Sequence, residues 1–235
     1  TFLLLDEFSW MGGYDSNFHG KLKPAWDSVF KQHQKLIIVL CGSVSSWIEK
    51  NILNNTGFVG RIRLNLRLDE LPLKDTHAFW GANTQNISSE EKLKYISVTG
   101  SIPRYLEEID ARFSSEKNIE RLAFNPSGIL YNDFNSIFND IFGKKSLKFK
   151  QIVSTLVSGP RSFEEICQKL KIEANGVITQ YLEELVEAGF LRRDYNFDFK
   201  GKKSKFSYFI LRDNDLRFYL KHIDPSHATL KNQMI

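Results

Sequence analysis

The sequence predicts a mixed fold, α/β followed by all-α: part of a parallel sheet, then a helical subdomain, then a winged helix-turn-helix. Three observations carry the prediction. Two short continuous apolar runs, Phe2 to Leu5 and Leu36 to Cys41, flank a stretch of helical spacing, the pattern of strands buried on both faces of a parallel sheet. From Leu73 to about Phe142 the pattern becomes that of amphipathic helices, broken at Gly81, at Gly100-Ser101-Ile102-Pro103 and at Asn125-Pro126-Ser127-Gly128. From Leu147 onward, three helical segments lead into two strand-like runs around Lys200-Gly201-Lys202-Lys203.

Taken in order, Phe2 to Leu5 is the first strand. Asn17 to His33 places Leu22, Trp26, Val29 and Phe30 on one helical face, and Leu36 to Cys41 is the second strand, which together make a βαβ unit. A helix is expected to start near Trp47, and Ile62 to Leu68 alternates apolar and polar residues as a further strand would. In the last third, Leu147 to Val157 reads as a helix closed by Ser158-Gly159-Pro160. Ser162 and Glu165 have the spacing of a capping box for the next helix. A third helix runs from about Gly176 to Glu187, and Phe190 to Tyr195 and Phe206 to Leu211 are the strands of the hairpin. The expected organisation is 1–72, sheet; 73–145, helical lid; 146–212, winged helix; 213–235, the start of a following segment.

Composition narrows the function classes. The 235 residues are 42% hydrophobic and 26% charged, enough apolar material for a core and too much for a disordered chain. The longest unbroken apolar run is far too short to span a bilayer, so a soluble, cytoplasmic protein without a membrane partner is expected. Cys41 and Cys167 have no CxxC neighbour, which argues against both a disulfide framework and a zinc site. His19, His33, His77, His222 and His227 show no metal-ligand spacing, and no Gly-x-Ser-x-Gly elbow is present. Charge is uneven: up to Phe142, 15 basic residues face 17 acidic ones, and beyond it 17 face 11. A basic C-terminal part suits a phosphate-bearing or acidic partner.

Two segments carry candidate chemistry. Asp6 and Glu7 end the first strand, and hydrolysis of a nucleotide on an α/β sheet calls for two carboxylates at that place, one for the magnesium shell and one to polarise the attacking water. Leu40-Cys41-Gly42-Ser43-Val44-Ser45-Ser46 ends the second strand and offers Ser43, a small hydroxyl where the γ-phosphate or the water would be sensed; a Gly-Ser turn capping a helix is the plainer alternative. In the expected wing, Arg192, Arg193, Lys200, Lys202, Lys203 and Lys205 stand against Asp194 and Asp198 for a net +4, with Tyr195, Phe197, Phe199 and Phe206 among them. Such a hairpin suits the phosphate backbone of DNA. The third helix presents Asn175, Thr179, Gln180 and Glu183, a poorly basic reading surface.

The order Leu-Leu-Leu-Asp-Glu-Phe, then Leu-Cys-Gly-Ser-Val-Ser-Ser-Trp, then Gly60-Arg61, then Thr99-Gly100-Ser101-Ile102-Pro103-Arg104-Tyr105-Leu106-Glu107, then a winged helix, resembles the archaeal-type ATPase family, of the STAND branch of P-loop NTPases related to AAA+ proteins. The resemblance implies a partial P-loop NTPase sheet, ATP and Mg2+ as cofactors, Asp6 as the magnesium-side carboxylate, Glu7 as general base and Ser43 as sensor hydroxyl. It implies Arg61 as a charge stabiliser, in cis or across a subunit boundary, and Pro103 with Arg104 as nucleotide contacts from the lid. Candidate partners are ATP, DNA through the winged helix, and further copies of the chain in a homo-oligomer. One departure stands out: no G-x-x-x-x-G-K-[ST] occurs, and Gly143-Lys144-Lys145-Ser146 has neither the upstream glycine nor a strand feeding it. In the family that loop precedes the Asp-Glu strand, so it is expected upstream of Thr1, and this chain alone is expected to bind nucleotide weakly or not at all. The alternative is a non-enzymatic DNA-binding or protein-interaction module on a degenerate core.

Overall fold

Consecutive β-branched and leucine side chains favour extended backbone, and Phe2–Leu5 (β1) and Ile37–Leu40 (β2) pair in parallel, Phe2 opposite Ile37 and Leu5 opposite Leu40. The computed structural model describes residues 1–15, 17–42, 48–83, 85 and 87–226. Phe8–Tyr14 (α1) and Phe18–Ser28 (α2) connect the two strands. Helix α2 is shorter than the periodicity suggests and continues as a tight turn over Phe30–Gln32. Contacts divide the chain into two units, Thr1–Arg67 and Leu68–Ile235.

In the first unit the core is small. Phe8, Ile52 and Phe58 are buried, with Leu5, Phe18, Leu22, Leu40 and Ile48 packed around them. The expectation that both strand faces are buried is corrected. Leu3, Leu5, Ile38 and Leu40 are half-buried on one face, whereas Phe2, Leu4, Ile37 and Val39 are exposed on the other. The sheet has only two strands, and helices cover one of its faces among the described residues. The expected strand at Ile62 to Leu68 is corrected as well. This segment has no regular structure, and Leu64, Leu66 and Leu68 are exposed, because alternation forms a strand only where a neighbouring ladder accepts its backbone groups.

In the second unit, a short turn Leu73–Thr76 (α3) precedes Ser89–Thr99 (α4), which is capped by Ser88, whose hydroxyl accepts from the Glu91 amide. Pro103–Leu106 (α5) has proline in its first turn, where the missing N–H goes unused. Ser115–Ile119 (α6) runs on as a wider turn through Phe124, and Ile129–Phe142 (α7) follows. Then come Ser146–Thr155 (α8), Phe163–Leu170 (α9) and Gly176–Glu187 (α10). Leu191–Phe197 (β3) and Lys203–Leu211 (β4) form an antiparallel pair, with an added bridge between Arg161 and Phe209, and Asn214–Phe218 (α11) continues as a wider turn to Ile223.

The capping box of α9 forms as expected: the Ser162 hydroxyl accepts from the Glu165 amide, and the Glu165 carboxylate accepts from the Ser162 amide at 2.7 Å. Asn175 caps α10, its side-chain oxygen accepting from the Val177 and Ile178 amides. One continuous core runs from Trp80 to Ile223. Its centre is aromatic: Phe142 stacks on Phe149 with centroids 4.0 Å apart, and Phe138 meets Phe190 at 4.7 Å. Helix α7 therefore joins the helical segment to the three helices and hairpin that follow it.

Candidate functional site

In the first unit the parallel ladder extends one step past the strands. The Cys41 amide donates to the Leu5 carbonyl, and the Phe8 amide donates to the Cys41 carbonyl, both at 2.9 Å. This lays Asp6-Glu7 beside Cys41-Gly42 at the carboxyl ends of both strands. Glu7 adopts a left-handed conformation, φ 46° and ψ 43°, uncommon for a residue with a Cβ. Its amide donates to Asp6 Oδ1 at 3.0 Å, and it stands just before α1 without a side-chain capping bond. The backbone thus turns sharply at the acid pair and leaves both carboxylates exposed.

Cys41 belongs to this arrangement too, although no motif marks it. The Asp6 carboxylate beside the Cys41 thiol, with partial desolvation and the negative charge of Glu7, raises the thiol's pKa. A thiol held protonated in this way is not a nucleophile. Gly42 also has a steric reason: a Cβ there would meet Ile48 Cδ1 at 2.9 Å, with the Phe8 amide 3.7 Å away. Ser43 lies outside the described residues.

Arg61 is half-buried and engaged within the first unit. Its Nη2 donates to both Asp27 oxygens, at 3.1 and 2.8 Å, its Nε donates to Oδ1 at 3.2 Å, and its Nη1 donates to the Gly57 carbonyl at 3.0 Å. The guanidinium in turn lowers the pKa of Asp27. The structure places Arg61 as a clamp between α2 and the Gly57 turn.

In the second unit the Gly100-Ser101-Ile102-Pro103-Arg104-Tyr105 block forms the passage from α4 to α5. Glu70 holds it, its Oε2 accepting from the Ser101 amide at 2.9 Å, while the Leu71 amide donates to the Ser101 carbonyl at 3.0 Å. The buried Tyr95 hydroxyl donates to the Tyr105 carbonyl at 2.7 Å. Pro103 is exposed at the start of α5. Arg104 is largely exposed and donates from Nη1 to Glu108 at 2.7 Å, which raises its already high pKa.

The six basic residues of the hairpin divide by environment. Arg192 chelates Asp194 at 2.7 and 2.8 Å and lowers that carboxyl's pKa. Arg193 donates to the Ser207 hydroxyl at 2.9 Å and lies over the rings of Tyr195 and Phe209. Lys203 sits 3.3 Å from the centroid of Tyr195. Lys200 and Lys202 occupy the exposed tip and make no ion pair among the described residues. Asp198 builds that tip, its Oδ1 accepting from the amides of Lys200 at 2.9 Å and Lys202 at 2.8 Å. Of Lys205 only the backbone, within β4, is described. Phe197, Phe199 and Phe206 are exposed around this tip, Phe199 completely.

No protein-family profile matches the chain, and no curated protein matches it. Among solved structures, it is similar to the ORC1 protein of Aeropyrum pernix in complex with DNA, at 11% sequence identity and a TM-score of 0.37 over 100% of this chain. The chain spans 65% of the length of that protein. The likeness is distant. Among the described residues no helix is long and apolar enough to cross a membrane.

Proposed function

We propose that this chain is the later part of a switch ATPase of the archaeal-type STAND kind, whose nucleotide cycle moves the helical lid and a winged helix formed by residues 146–212. The observation that supports this reading is the acid pair, Asp6 and Glu7, at the carboxyl end of a parallel strand and beside the end of its neighbour. Ligands of open α/β sheets bind at that edge.

In this reading Asp6 holds Mg2+, Glu7 is the general base and Ser43 is the sensor hydroxyl. The donor set fits a Mg2+ shell in kind, because that ion takes one or two carboxylates and completes its octahedron with water and phosphate. No group of three or more His, Cys, Asp or Glu could hold a metal on protein donors alone among the described residues. The ion, when bound, neutralises charge on the phosphates. Glu7 has an exposed carboxylate with no hydrogen bond among the described residues, able to orient a water and take its proton. Arg61 would act on the phosphate after releasing Asp27, and Pro103 and Arg104 would meet nucleotide on their exposed side. The phosphate cradle is the part that does not fit: no glycine-rich loop ending in Lys is present, and ATP binding by this chain alone is weak or nil.

The test reads the coding sequence upstream of Thr1 in frame. A G-x-x-x-x-G-K-[ST] after an apolar strand is expected, and the longer protein should hydrolyse ATP, with Glu7→Gln lowering kcat by about 100-fold or more while ATP still binds. An upstream segment without such a loop, or hydrolysis unchanged by Glu7→Gln, overturns the reading.

A second reading rests on the hairpin tip. Exposed Lys200 and Lys202 among exposed phenylalanines suit sequence-independent contact with a DNA backbone, with ATP playing no part. Salt-dependent DNA binding that is indifferent to nucleotide favours it.

A further inference from the structure

A cavity of about 260 Å3 opens inside the second unit, between the Ile102-Arg104-Tyr105 passage, helix α7 and the start of α11. Its walls are mostly apolar, with Ile102, Phe134, Phe138 and Phe190 among them. Three carboxylates line it as well: Asp133 from α7, and Asp213 and Asp215 from the start of α11. None of the three makes an ion pair among the described residues. Arg104 also lines the cavity but donates to Glu108, and Arg217 donates to the Leu211 carbonyl.

Asp215 is the decisive group. It is only 5% exposed, and its Oδ1 is buried without a hydrogen-bond partner. Asp213 differs, since its Oδ1 accepts from the Leu216 amide at 2.8 Å and caps α11. Tyr105 lines the same cavity, and its hydroxyl lowers the pKa of both Asp133 and Asp215 against their burial. A buried carboxylate oxygen without a partner is costly and rare in folded proteins, where it usually marks a missing ion or ligand group.

We propose that this cavity binds a small alkylammonium cation, its charged nitrogen among Asp133, Asp213 and Asp215 and its methylene chain along Phe134, Phe138 and Ile102. The apolar walls favour an organic cation over a hydrated metal ion, because they offer no further oxygens to complete a coordination shell. A primary ammonium brings three donors, suited to the unpartnered Asp215 oxygen and to its neighbours. The acidic lining also disfavours phosphate inside the cavity, so this site does not depend on the ATPase reading.

Protonation is coupled to binding. Burial raises the pKa of Asp215 well above the usual carboxylate range, and the negative charges of Asp213 and Asp133 raise it further, against a hydrogen bond from Tyr105. Burial likewise raises Asp133, opposed by Tyr105 and Arg104, and raises Asp213, which also faces Glu70, opposed by the Leu216 and Asp215 amides and by Arg217. The empty cavity therefore retains protons that an incoming ammonium displaces to the buffer, and affinity rises with pH until the carboxylates are ionised.

The experiment is calorimetric titration of the chain with 1,5-diaminopentane at several pH values in two buffers of different ionisation enthalpy, with 1-pentanol as the neutral control. Saturable binding with proton release is expected, with affinity rising with pH and at least about tenfold weaker in Asp215→Asn. Asp133→Asn, on a different helix, should also weaken binding and serves if Asp215→Asn does not fold. The proposal is overturned by no saturable amine binding, by equal affinity in either folded variant, by an equal response to 1-pentanol, or by Mg2+ saturating the site in place of the amine.

Discussion

Gly100→Ala tests how the passage that carries Pro103, Arg104 and Tyr105 is held in place. Gly100 lies at φ 64° and ψ −165° after α4, a region essentially closed to residues with a Cβ. Forcing alanine into it costs about 1–3 kcal/mol of backbone strain. The added Cβ would also sit 2.8 Å from Glu70 Oε2, the same atom that accepts the Ser101 amide. Displacing Glu70 removes a charge-assisted hydrogen bond of about 1.5 kcal/mol in this part-exposed place. The expected total is about 2.5–4.5 kcal/mol, read from urea unfolding with the wild-type slope. Glu70→Ala alone should cost about 1–1.5 kcal/mol. Because both changes lose the same hydrogen bond, the double variant should fall short of additivity by about 1 kcal/mol. A Gly100→Ala penalty below about 0.5 kcal/mol, or full additivity with Glu70→Ala, would refute the reasoning.

Phe138→Ala removes a fully buried ring in contact with Phe134, Phe142 and Phe190 and is expected to cost about 3–5 kcal/mol. Because α7 joins one continuous core, hydrogen exchange should speed up in α4 to α7 and in α8 to β4 alike; acceleration confined to one side would count against it. Asp215→Asn should make the chain less sensitive to alkaline pH. With Asp215 raised in the folded state, the native form holds a proton that the unfolded chain releases, so wild-type stability falls as pH rises above the ordinary carboxylate range. At pH 8 the Tm of the variant should be higher, by about 2–4 °C if the relief is about 1 kcal/mol; a lower Tm at that pH would contradict this. Asp110 runs the other way. The hydrogen bond from Arg112 holds its carboxyl down to about 2, so that contribution is present above the usual carboxylate pKa and is lost as pH falls toward 2. Arg112→Ala should therefore flatten the acid limb of a thermal-melt series. In the DNA-binding reading, Lys200→Ala with Lys202→Ala should reduce the slope of log affinity against log salt by about 2; an unchanged slope would remove the tip from the interface.

Features written within a few residues were legible in the sequence. The Ser162-Phe163-Glu164-Glu165 cap and the Gly176–Glu187 helix formed where the spacing placed them; α8 ends at Thr155, two residues before the expected Val157, and the two hairpin strands run two or three residues further toward the tip than expected. Each depends on hydrogen bonds and backbone preferences inside one short window. The apolar runs at Phe2 and Leu36 likewise fixed a parallel pair, since continuous apolar β-formers separated by a helix have few other arrangements.

What the sequence could not decide is what meets over long separations. The alternation at Ile62 to Leu68 is sound local grammar for a strand, yet no ladder receives it. Arg61 could serve a phosphate or a carboxylate, and folding set it against Asp27, thirty-four positions away in sequence. Of the five basic hairpin residues whose side chains are described, three found partners inside the protein: Arg192 on Asp194, Arg193 on two rings and Ser207, and Lys203 on Tyr195. Asp133, Asp213 and Asp215 carry no motif, Tyr105 stands within the Thr99–Glu107 block, and the four come from three separate segments. Composition and periodicity determined most segments that became helix or strand, because those choices are settled by near neighbours; Ile62 to Leu68 is the exception, since a strand also needs a partner ladder. Only the packing of α5, α7 and α11 onto a common core brought those side chains to one cavity, and only burial there left an Asp215 oxygen without a hydrogen-bond partner and raised the pKa of all three aspartates.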